Sequence, residues 1–171
     1  MSELLIRKTS LTDIPHIESL YRAVAAIEGG LARTASEITR DYVEGFVSKS
    51  IVHGLEFVAT DREANLVAGE IHCYGSGIRT FAHVLGELTI AVHPKYQRQG
   101  VGRMLFTALL SEITEHRPEI LRVELIARES NAKARKFYES LGFAEEGRLV
   151  KRIRSVDGGF EDDILMAWRR P

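Results

Sequence analysis

HPKYQRQGVGRMLFTALL, residues 93–110, sets two glycines, Gly100 and Gly102, between a polar stretch and an apolar run. Val101, Leu105, Leu109 and Ile113, with Ala108 beside them, recur at the spacing of one helical face. Glycine is a poor helix former, so its position at the mouth of this helix needs a reason. The first N–H groups of a helix have no intrahelical partners, and the aligned peptide dipoles make that end positive. An anion satisfies both, and glycine lets it come close to the backbone. Arg98 and Arg103 flank the pair and can add charge-assisted bonds to a phosphate. The stretch therefore reads as a pyrophosphate cradle between a strand and a helix. A second reading stands beside it: the glycines serve only a tight turn and close helix–sheet packing.

Better-known phosphate loops do not fit. A Walker A loop needs Lys-Ser/Thr after its glycines, and here Gly102 is followed by Arg103 and Met104. A dinucleotide fingerprint needs a third glycine at position 105, which is Leu105.

Length and composition set outer bounds. A chain of 171 residues with 44 % hydrophobic and 27 % charged content reads as one globular domain, residues 1–171. A net charge of −1 lacks the basic excess that nucleic acid or an acidic membrane would call for. No apolar run nears the ~18 residues of a membrane span, and MSELLIRKTS has no signal-peptide core. The lone Cys73 cannot form an internal disulfide, which points to a reducing cytoplasm. Cys73 and the scattered histidines offer no zinc-ligand spacing, so no metal is expected.

Outward from the loop, strands and helices alternate. LLIRKT opens as a strand. Ile14, Ile17, Leu20, Tyr21 and Val24 share a helical face, with Thr12 as its cap and Pro15 in its first turn. Thr34 and Glu37 form a capping box ahead of Ile38, Tyr42 and Phe46 at helical spacing. LEFVAT and LVAGEIHCYG flank DREAN as a hairpin, and LGELTIAV is a further strand. After the glycine loop and its helix come the strand LRVELIA, the helix NAKARKFYESL stopped by Gly142, and two strands around a DGG turn. The order is strand, two helices, three strands, helix, strand, helix, two strands. It predicts an α/β fold with a sheet of about seven strands between helices.

Two segments carry a resemblance. QRQGVG is similar to the Q/R-x-x-G-x-G/A loop of the GCN5-related N-acetyltransferases (GNATs), and NAKARKFYESLGF resembles their Asn-initiated helix ending in Tyr-x-x-x-Gly-Phe. The segments stand in that superfamily's order, with residues 85–143 the nearest match. The resemblance implies a mixed, mostly antiparallel sheet, splayed between its fourth and fifth strands, that uses acetyl-CoA as co-substrate. It implies that Ile90, Ala91 and Val92 present backbone to pantetheine. Arg98, Gln99, Gly100, Val101, Gly102 and Arg103 would meet the pyrophosphate, and Asn131 would hold the coenzyme. Lys133 or Arg135 would reach a ribose phosphate, unless both simply face solvent.

The chemistry implied is acetyl transfer to a primary amine of a small molecule or a peptide N-terminus. It needs a neutral amine, a stabilised oxyanion and a proton for the departing thiolate. Asn131 and Tyr138 lie seven residues apart, about two helical turns, so they share a face. On residues alone Tyr138 is either a proton donor or one more aromatic beside Phe137; the resemblance implies the donor. A backbone amide, that of Val92, would meet the oxyanion. Glu87, five residues before Val92, is the first candidate base, against a plain solvated strand residue. Ribosomal-protein alanine acetyltransferases of the family carry a glutamate five residues before the Asn. Here that place holds Ile126, with Glu124 and Glu129 on either side. His72 is a base acting through water or a structural histidine. Glu28, Glu37, Asp162 and Asp163 would draw an ammonium or belong to a charged surface. A homodimer is common in the superfamily, with no interface specified here. Two other classes stay open: a non-catalytic acyl-CoA sensor using the same cradle, and a plain phosphate- or nucleotide-binding domain.

Overall fold

The computed structural model describes residues 4–27, 29–155 and 158–171. Among them, strands and helices follow one another in the expected order, and runs of 3.6-residue apolar period form the helices. They are β1 (Leu4–Lys8), α1 (Ile14–Ala25), α2 (Arg40–His53), β2 (Gly54–Asp61), β3 (Leu66–Tyr74), β4 (Val84–Val92), α3 (Val101–His116), β5 (Arg122–Arg128), α4 (Ala132–Glu139), β6 (Phe143–Arg154) and β7 (Phe160–Arg169). The strands follow the order β1-β2-β3-β4-β5-β7-β6. Only β4–β5 is parallel among the registered pairs; β1–β2, β2–β3, β5–β7 and β6–β7 are antiparallel. The sheet is thus mixed and mostly antiparallel, as expected. Glu28 and Asp157 of the DGG turn lie outside the described residues.

The chain forms two compact units, and β4 contributes to both. The first comprises Met1–Tyr74 and Thr89–Arg117. In it, α1 and α2 bury Ile17, Leu20, Tyr21, Val43, Phe46 and Val47 over Val58 and Val67. Successive β3 side chains alternate between faces, so Glu70 meets α1 while Gly69 meets α3. A Cβ on Gly69 would lie 3.0 Å from Leu105 Cδ1 and from Val101 Cγ1, and 3.2 Å from the Ala91 carbonyl oxygen. The absence of a side chain there lets α3 lie directly on the strand. Val101, Leu105, Phe106, Leu109 and Ile113 are buried along it. Cys73, also buried, has its thiol pushed up to about 12 by that burial.

Local starts differ from expectation at two places. The cap of α1 is Asp13, not Thr12, after a single 3-10 turn at Leu11–Asp13. Asp13 is the better anchor because its carboxylate accepts from Arg7 at 2.7 and 2.6 Å and from the Ser10 amide at 2.9 Å. The Thr34–Glu37 box forms, yet it closes a 3-10 turn; α2 starts later, with Thr39 Oγ1 accepting from the Tyr42 amide.

The second unit comprises Gly75–Leu88 and Pro118–Pro171. It joins the first half of β4 to β5, β7 and β6, with α4 against β5 and β6. Gly142 ends the α4 segment at φ 93°, beside the Trp168 ring. No helix among the described residues is long and apolar enough to cross a membrane.

Candidate active site

The loop that leaves β4 is held by a bond to β3 and by bonds to its own strand and within itself. The His93 amide donates to the Ala68 carbonyl at 2.9 Å, and a 3-10 turn follows at Pro94–Tyr96. Gln97 Nε2 donates to the Val92 carbonyl and Gln99 Nε2 to the Lys95 carbonyl. The backbone then turns left-handed at Arg98 (φ 62°) and again at Gly100 (φ 83°), directly before α3. Alternation of this kind turns successive N–H groups toward one side and forms an anion-binding concavity. A Cβ on Gly100 would meet nothing within 4 Å. Packing therefore does not demand glycine at 100; its left-handed backbone does, and the space before the helix end is open. Close helix–sheet packing is the task of Gly69, a residue the sequence reading did not single out. Gly102 lies in the first turn of α3, with Arg98 and Arg103 exposed on either side. These residues fit a pyrophosphate: N–H groups at a helix start, two guanidinium groups, and room for the anion.

On β4, Ala91 is buried while Ile90 and Val92 are half-buried. The parallel ladder to β5 registers only Val84 with Arg122 and Leu85 with Val123. Glu87, two residues past it, is left-handed at φ 53° and exposed, so the strand kinks there. The backbone of Ile90–Val92 is outside that ladder, the condition under which a strand can pair with an extended ligand.

In the second unit, Asn131 caps α4, its Oδ1 accepting from the Ala134 amide at 3.1 Å. Tyr138 is half-buried one helix length away, and burial raises its phenol above the ordinary range. Arg135 donates to the Glu129 carbonyl and to Glu145, which favours its structural reading, while Lys133 is exposed. Ile126 is 46 % exposed on β5, without a carboxylate. Glu124 pairs with Arg122, and Glu129 with Arg148. Of the acidic candidates for an ammonium, Glu37 serves Thr34, Asp162 serves Arg148 and the Lys151 amide, and Asp163 serves Arg152.

Sequence reading missed a buried polar group in the first unit. Tyr21 Oη donates to Glu70 Oε2 at 2.6 Å, His72 Nδ1 lies 2.9 Å from Glu70 Oε1, and the His72 ring stacks on Phe46 at 4.2 Å. His72 is thus bound into the core, the structural reading. Glu56, opposite His72 in the β2–β3 register, is 4 % exposed, and no donor among the described residues bonds its oxygens. Burial, and next the Glu70 carboxyl, push Glu56 up to about 9; burial pushes Glu70 up to about 8. A neutral Glu56 carboxyl can then donate its proton to Glu70. The signal lay in the hairpin register, which sets Glu56 and His72 side by side.

Residues 53–145, more than half of the chain, match the model of the acetyltransferase (GNAT) domain. The chain belongs to the GNAT family. Over 87 residues it is 44 % identical to the ribosomal protein bS18-alanine N-acetyltransferase of Escherichia coli, a match covering 49 % of this chain and 57 % of that protein. The chain spans little more than half the length of the curated relatives it matches. Among solved GNAT folds, the S18-alanine N-acetyltransferase from Escherichia coli superposes with a TM-score of 0.76 at 27 % identity, covering 98 % of this chain and 94 % of that one. A putative acetyltransferase from Salmonella typhimurium, solved with acetyl-CoA, shares the fold at a TM-score of 0.77 and 18 % identity, with the same coverage.

Proposed function

We propose that this GNAT chain transfers the acetyl group of acetyl-CoA to a primary amine of a small molecule or a peptide. The observation that carries the reading is the doubly left-handed loop at Arg98 and Gly100, open in front of the first turn of α3. Acetyl-CoA supplies an activated acyl group and a thiolate leaving group. The amides from Arg98 to Arg103 bind its pyrophosphate, while the guanidinium groups of Arg98 and Arg103 neutralise it. The backbone of Ile90, Ala91 and Val92 orients the pantetheine arm. Glu87 takes a proton from the incoming ammonium. The neutral amine forms the C–N bond as the C–S bond breaks, Tyr138 gives its proton to the sulfur, and the phenolate recovers a proton from the new amide nitrogen. Because burial raises its phenol, Tyr138 holds that proton throughout the neutral range.

The likeness to an alanine N-acetyltransferase makes a protein N-terminal amine the first acceptor to test. Ile126 argues for a route to the neutral amine other than a glutamate at that place. We place the protein in the cytoplasm, on the strength of its one cysteine. The test is thiol release from acetyl-CoA with N-terminal peptides, polyamines, amino acids and aminoglycosides. Turnover with one class is expected. Coenzyme binding without turnover on any class would favour a sensor, and ATP competing as well as acetyl-CoA would favour a plain nucleotide site.

A further inference from the structure

Asp61 ends β2 and is only 3 % exposed. A carboxylate is costly to bury unless it is bonded. Of its described bonds, Oδ1 accepts from the Ala64 amide at 2.9 Å, within the β2–β3 turn. Any short polar side chain could make a turn bond of that kind. The other bond goes elsewhere: Oδ2 accepts from Tyr96 Oη at 2.7 Å, 35 residues along the chain. Tyr96 closes the 3-10 turn and stands two residues before the left-handed Arg98. Its ring also meets the edge of His93, the cap of that turn.

The loop needs such an anchor. Left-handed backbone at Arg98 is unfavourable and persists only where its surroundings fix it. The bonds of Gln97 and Gln99 close within the loop and its own strand. The Asp61–Tyr96 bond reaches a different strand and is charge-assisted. We infer that Asp61 and Tyr96 are positioning residues for the coenzyme: their hydrogen bond holds residues 97–102 in the anion-binding shape before the pyrophosphate arrives. Fixing the shape beforehand lowers the ordering cost of binding. The inference rests on the acetyl-CoA reading above. It concerns only the pyrophosphate end, so a pantetheine thioester without that group gains nothing from the strap.

The experiment compares wild type, Tyr96→Phe, Asp61→Ala and the double variant. CoA affinity is measured by calorimetry, and turnover is measured with S-acetylpantetheine. Tyr96→Phe is expected to weaken CoA about tenfold, the scale of one charge-assisted hydrogen bond. S-acetylpantetheine turnover should stay within about twofold, because that substrate never meets the loop. The double variant should bind CoA no worse than Asp61→Ala alone, the mark of a shared interaction. Equal CoA affinity in wild type and Tyr96→Phe would overturn the inference and leave the acetyl-CoA reading intact. Equal losses with both ligands would reduce the bond to a structural role. A wild-type protein that binds no CoA would end both readings.

Discussion

Gly100 shows why one position in the loop was legible and another was not. A glycine before an apolar stripe is a visible signal, and its φ of 83° is a backbone that side chains rarely adopt. Gly100→Glu adds that strain, about 1 kcal/mol or more, and places a carboxylate where the anion belongs. CoA binding should vanish by calorimetry while the circular dichroism stays native; retained affinity in the folded variant would remove the cradle. Tyr138→Phe should leave CoA affinity nearly unchanged and slow turnover about a hundredfold, the usual scale of a lost proton donor. Equal rates would return Tyr138 to the role of an aromatic packing beside Phe137. The left-handed Arg98 and Glu87 were beyond sequence reading, since nothing in an arginine or a glutamate marks a positive φ.

At the scale of elements, hydrophobic period carried the reading. The five residues predicted to face inward on α1 are all buried, because a stripe that wide has no other stable place. Starts of helices were harder to read. Thr12 suits a cap by residue type, yet α1 starts one residue later, after Asp13, whose carboxylate is held by Arg7. Gly69 was invisible for a related reason: its role depends on α3, more than thirty residues later in the chain. Gly69→Ala brings a methyl to 3.0 Å from the Leu105 and Val101 side chains and 3.2 Å from the Ala91 carbonyl, which must give by a few tenths of an ångström. A loss of about 1 kcal/mol is expected in urea unfolding. An unchanged midpoint would mean that α3 can ride up on the strand freely.

For the whole molecule, the buried carboxyls make stability depend on pH. Folded Glu56 and Glu70 keep protons that the unfolded chain has released above its ordinary carboxyl range. The folded state therefore binds more protons from about pH 4.5 to 9, and stability falls as pH rises through that window. The slope reaches about 1.4 kcal/mol per pH unit for each proton. Urea midpoints at pH 6, 7.5 and 9 should fall for wild type and fall less for Glu56→Gln; parallel curves would mean that no proton is held there. The composition gave no hint of this, because two glutamates among 24 acidic residues look like surface until strand register places them. Cys73 has a practical consequence of another kind. The sole sulfhydryl of the chain is sealed in the core and almost wholly un-ionised at pH 8. A chromogenic disulfide reagent will therefore report liberated coenzyme without a background from the polypeptide. Under mild denaturant, the same reagent becomes a clock, each labelled molecule recording one excursion in which the interior opened.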